Sequence, residues 1–146
     1  MTQFKKLLLA LDLSPSAGLL ISRVLQMYRE ELDHLHVVHV VREGMYDASL
    51  SDYASILDSD VQGLLDRAEV QLKSLLQSNG LHLPTENIFL LQGEPAFQIK
   101  RLAGMINADL LIVGSHCKED DLLQLPGTTT NCVMQGMAAD VMAVRI

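Results

Sequence analysis

The chain has 146 residues, of which 49% are apolar and 20% charged, with a formal net charge of -7; this is the balance of one soluble globular domain with its own core, expected over residues 1–146. The apolar runs, such as Leu7 to Leu11 and Leu110 to Val113, are too short to span a bilayer, and no charged-then-apolar leader or Lys/Arg cluster is recognisable. A cytoplasmic protein without a nucleic-acid or membrane partner is therefore expected. Cys117 and Cys132 give neither a disulfide framework nor a metal-ligand spacing and read as reduced thiols. Lys5 to Leu13 (KKLLLALDL) is an apolar run broken by Asp12, which suggests a strand covered on both faces with a carboxylate at its carboxyl end. Ser14-Pro15 follows, with serine as N-cap and proline at the first helical position, and Ala17, Leu20, Val24 and Tyr28 recur at helical spacing until the helix fades near Glu30.

His34 to Val41 (HLHVVHVV) reads as a second strand. Its histidines at 34, 36 and 39 do not share one face, because strand side chains alternate, and they make a poor metal cluster. Residues 42–57 show no period and read as an irregular or partly helical connection. From Asp58 onward, Val61, Leu64, Leu65, Ala68, Leu72, Leu75 and Leu76 mark one face of a helix that ends at Asn79-Gly80. Asn87 to Leu91 is a third strand, and Gly93-Glu94-Pro95 opens a third helix along Ala96, Ile99, Leu102, Ala103 and Ile106.

Asp109 to Thr130 is the stretch around which the rest is organised. An apolar strand, Leu110 to Val113, ends in Gly114; a loop follows, then Pro126-Gly127 and a threonine run that opens a fourth helix. A strand that stops at glycine and hands over to a helix start is how α/β proteins gather backbone N–H groups around an anion. Val141 to Ile146 (VMAVRI) is a last strand. Five strands and four helices in alternation predict an α/β fold, a parallel sheet with helices on both faces. Ligands of such sheets sit beyond the carboxyl ends of the strands where the winding reverses, so Asp12 and Gly114 share a crevice if the first and fourth strands are neighbours. A short apolar terminal strand is an exposed edge, and pairing with its copy in a homodimer covers it.

Together these segments, LLLALDLSPSA, HVVHVV, QGEPAFQIKRLAG and ADLLIVGSH, resemble the universal stress protein family over nearly the whole chain. The resemblance implies a Rossmann-like domain, usually dimeric through the final strand, here Val141 to Ile146. Some members of that family bind ATP through glycine, two residues, glycine, nine residues, glycine, then Ser or Thr; others lack this motif and bind none. This chain has Gly114, then Ser115-His116, then Cys117 where the middle glycine belongs, then nine residues and Gly127-Thr128. By the family's pattern Asp12 approaches the ribose, Val40 and Val113 line the adenine pocket, and Gly127, Thr128 and Thr129 meet the phosphates. The opening DLSPSA is closer to members without nucleotide, whereas the loop length is closer to those with it.

A cysteine at a position that needs φ above zero costs about 1 to 2 kcal/mol. Glu119, Asp120 and Asp121 lie in the same loop, and a carboxylate about 8 Å from a phosphate costs roughly 0.5 kcal/mol in water and about 2 kcal/mol at an effective dielectric of 20. A helix N-terminus returns only about 0.3 to 1 kcal/mol, so triphosphate binding calls for those carboxylates to face solvent or for a Mg²⁺ between them and the phosphates. Each residue also has a plainer reading. Gly127 with the threonines is a turn and N-cap, Asp12 a cap or loop tie, His116 a solvated histidine or a phosphate or ribose neighbour, and Cys117 an inert or a redox thiol. No nucleophile is recognisably paired with a base, so any ATP hydrolysis is expected to be slow. Three readings follow: a stress-response regulator with an adenine-nucleotide cleft, a dimeric interaction module with a decayed cleft, and a thiol redox sensor.

Overall fold

Leu7, Leu8 and Leu9 have no exposed surface at all, and three consecutive buried residues in a strand require cover on both faces. The structure, a computed structural model, describes residues 4–42, 58–115 and 136–146. Within them lie five strands, β1 (Leu7–Ala10), β2 (Leu35–Arg42), β3 (Ile88–Gly93), β4 (Leu110–Ser115) and β5 (Asp140–Arg145). All pair in parallel, in the order β3-β2-β1-β4-β5. The α-helices α1 (Ala17–Met27), α2 (Asp58–Ser78) and α3 (Pro95–Met105) carry the chain between successive strands. The expected fourth helix and the connection over residues 43–57 lie outside the described residues. Among the described residues no helix is long and apolar enough to cross a membrane.

Right-handed crossovers explain which helix goes where. The chain steps outward from β1 to β2 to β3, then returns past β1 to β4, so the sense of winding reverses once. Leu20, Ile21 and Val24 of α1 and Leu72 and Leu76 of α2 accordingly share one core with Leu7, Leu9, Val37 and Ile112. Ala96, Ile99, Leu102 and Ala103 of α3 pack on the other face with Leu8, Val38, Val40, Leu111 and Val113. Leu64, expected inside, is 40% exposed, whereas Ala68, Leu72 and Leu76 further along α2 are buried.

Local chemistry sets the element ends. Glu94 caps α3 by accepting from the amides of Ala96 and Phe97, and Pro95 occupies the first turn, where no donor is needed. Gly80, at φ 75, ends α2 in a Schellman turn in which Leu81 N–H donates to Leu76 O at 2.9 Å and Gly80 N–H to Gln77 O at 3.1 Å. Asn107, at φ 55, ends α3 in the same way through Ala108 N–H to Ala103 O at 2.9 Å.

The start of α1 departs from expectation. The helix begins at Ala17 with Ser16 as its N-cap residue, and Ser14-Pro15 forms the preceding turn, closed by Ala17 N–H to Ser14 O at 3.1 Å. The Ser14 hydroxyl donates to Asp12 instead of capping α1. The first strand is also shorter than the apolar run. Its leading amides, those of Lys5 and Lys6, donate to Asp109 Oδ2 at 2.8 and 2.9 Å.

Candidate functional site

The β1–β4 ladder stops at Ala10 opposite Val113. Beyond that pair the two strands part. Leu11 turns toward β2, its N–H donating to Val38 O at 2.9 Å, while Gly114 and Ser115 pair onward with Val144 and Arg145 of β5. The carboxyl tips of β1 and β4 thus lie at the place where the winding reverses, which is where open α/β sheets take their ligands.

Asp12 stands at the β1 tip, exposed to solvent. Its Oδ1 accepts from the Ser14 amide at 3.2 Å and from the Ser14 hydroxyl at 2.6 Å. This is an Asx turn, which orients the carboxylate at the head of α1. Upstream, the Leu11 carbonyl lies 2.8 Å from Nδ1 of His39. A carbonyl can only accept, so Nδ1 carries the proton and donates. Val40 and Val113 form an apolar wall on the α3 face, at 9% and 4% exposure. Gly114 packs toward α1 and the C-terminus; a Cβ there would meet Ile146 Cδ1 at 2.7 Å and Leu20 Cδ2 at 3.3 Å. Ser115 is buried, and its carbonyl accepts from Ile146 N–H at 3.1 Å.

Asp12, Val40, Val113 and Gly114 are thus gathered at the carboxyl ends of three adjacent strands. His116, Cys117, Gly127, Thr128 and Thr129 lie outside the described residues, as do Lys118 and the loop carboxylates Glu119, Asp120 and Asp121. The described positions place an exposed carboxylate and two buried valines of the α3-side core at the same end of the sheet. Among the described residues, no group of three His, Cys, Asp or Glu side chains could hold a metal ion. The β2 histidines divide as alternation requires. His36 stacks on Phe89 with ring centroids 6.2 Å apart, and His39 serves the other side. Sequence reasoning missed the tie from His39 to Leu11 and the part taken by Ser14. The signals were there: the opposite parity of His39, and a serine two residues after an aspartate.

A parallel sheet in this order, with its first and fourth strands parting around a carboxylate, defines a doubly wound, Rossmann-like α/β protein. The universal stress protein family model matches residues 3–145, and the chain belongs to that family. It is 30% identical to universal stress protein A homolog 2 of Coxiella burnetii, over 100% of this chain and 98% of that relative. Among solved structures, the universal stress protein UspA of Lactobacillus plantarum has a TM-score of 0.64 at 18% identity, covering 97% of this chain and 98% of its own. A universal stress protein in complex with cAMP has a TM-score of 0.59 at 19% identity, covering 97% of each chain.

Proposed function

We propose that this universal stress protein binds an adenine nucleotide, ATP with Mg²⁺, in the cleft between the tips of β1 and β4. In this reading it acts as a cytoplasmic, homodimeric regulator of the stress response. The reading is carried by one observation: β1 and β4 lie side by side and part beyond Ala10 and Val113, leaving Asp12 on one lip and Gly114 on the other. Asp12 accepts from ribose hydroxyls, Val40 and Val113 flank the adenine, and Gly127, Thr128 and Thr129 donate to the phosphates. The loop spacing from Gly114 to Thr128 and the cAMP complex of a structural relative support it. Calorimetric titration of ATP-Mg²⁺ into the purified protein is expected to give a saturable heat with one site per protomer. Absence of heat at millimolar ligand overturns it.

A second reading, a dimeric interaction module that binds no nucleotide, is favoured by two observations. Cys117 stands where the middle glycine of the motif belongs. Gly114 has a packing reason to be glycine, because Ile146 and Leu20 fill the space a Cβ would take. Nucleotide that co-purifies with the protein and is released on heating would rule this reading out.

A further inference from the structure

We propose that His39 is a positioning residue for Asp12, an inference that rests on the nucleotide reading. A peptide unit is planar, so the Leu11 carbonyl and the Asp12 amide and Cα move as one body. Leu11 is tied to β2 through both of its backbone groups. Its N–H donates to Val38 O at 2.9 Å, and its carbonyl accepts from His39 Nδ1 at 2.8 Å. The second tie fixes the peptide plane from which Asp12 springs, just where β1 leaves its ladder with β4. Downstream, Asp12 Oδ1 is held by the Ser14 amide and hydroxyl.

The carboxylate is therefore fixed from both sides, by a side chain of β2 and by the head of α1. Nδ1 donates in the neutral Nδ1–H tautomer and in the imidazolium alike, so the tie does not depend on the charge of the ring. His39 touches no ligand in this account. It sets where Asp12 meets the ribose.

The test compares wild type, His39→Leu and His39→Asn, each checked for an unchanged circular dichroism spectrum. Asparagine places an amide donor close to where Nδ1 stands; leucine fills the space without a donor. Each protein is titrated with ATP, 2′-deoxy-ATP and 3′-deoxy-ATP. Wild type is expected to prefer ATP over at least one deoxy analogue by about tenfold, the scale of one hydrogen bond to a charged group. His39→Leu is expected to bring that preference to within about twofold, and His39→Asn to keep most of it. A separate readout needs no nucleotide: ring ¹⁵N shifts should show the Nδ1–H tautomer in the neutral form, and a bare Nδ1 overturns the tie. Ribose preference unchanged in His39→Leu, or lost equally in both variants, overturns the positioning role alone. A wild type that binds no nucleotide, or binds without preference, removes the nucleotide or ribose reading and this role with it.

Discussion

Asp109 holds together the ends of β1 and β4 opposite the cleft, with Oδ2 accepting from two successive backbone amides, those of Lys5 and Lys6. Both bonds are charge-assisted, yet the side chain is exposed, so water competes for all three groups. Asp109→Ala is expected to cost about 1 to 2 kcal/mol, a fall of roughly 3 to 6 °C in melting temperature for a domain of this size. An unchanged melting curve would show that solvent replaces the bonds without loss. The opposite end of the same strand pair carries the other residue-scale expectation. If the backbone at Cys117 takes a positive φ to approach a phosphate, Cys117→Gly removes a strain of about 1 to 2 kcal/mol and raises ATP affinity roughly tenfold. Equal affinities for the two proteins in calorimetry mean that the backbone there is in an ordinary region.

At the scale of elements, two helix starts that look alike in sequence turned out differently. Both Ser14-Pro15 and Glu94-Pro95 pair an oxygen-bearing side chain with a proline at the first helical position. Glu94 does cap its helix. Ser14 does not, because Asp12 stands two residues before it and takes both its amide and its hydroxyl, a competition that helix rules read one helix at a time do not weigh. The strands were legible from apolar runs, and their lengths were not. Lys5 and Lys6 turn to Asp109 and Leu11 to β2, tertiary bonds that no local pattern encodes. The C-terminal turns at Gly80 and Asn107 follow directly from residues that tolerate positive φ. Glu94→Ala deletes two cap bonds to Ala96 and Phe97 and is expected to cost about 1 kcal/mol. The urea midpoint should shift down with an unchanged slope; a wild-type midpoint means that water caps α3 equally well.

For the whole molecule, alternating strands and helices in the sequence implied a doubly wound sheet, and the sheet order β3-β2-β1-β4-β5 meets that expectation. That Asp12 and Gly114 end on neighbouring strand tips could not be read from periodicity; it follows only once the winding reverses after β3. The phosphate half of the candidate site falls outside the described residues, so there the sequence spacing still carries the reading. The same order leaves β5 at an edge of the sheet, paired only with β4 among the described strands.

Hydrogen-bond parity shows how that edge is built. Asp140 N–H donates to Asp109 O and Ile146 N–H to Ser115 O, each at 3.1 Å, so even-numbered amides of β5 face β4 and odd-numbered ones face outward. A two-fold axis perpendicular to the sheet would pair this outer row with the same row of a second copy, antiparallel, and remove both exposed edges. Ala143 is exposed and its amide belongs to the outer row. Proline at that position deletes an outward donor and leaves the β4–β5 ladder its bonds. If the dimer forms through this edge, Ala143→Pro is expected to sediment as a monomer of about 16.1 kDa with a native circular dichroism spectrum, and the wild type is expected to sediment at twice that mass. A variant that stays dimeric places the contact on another surface, and a monomeric wild type removes the dimer from the proposal altogether.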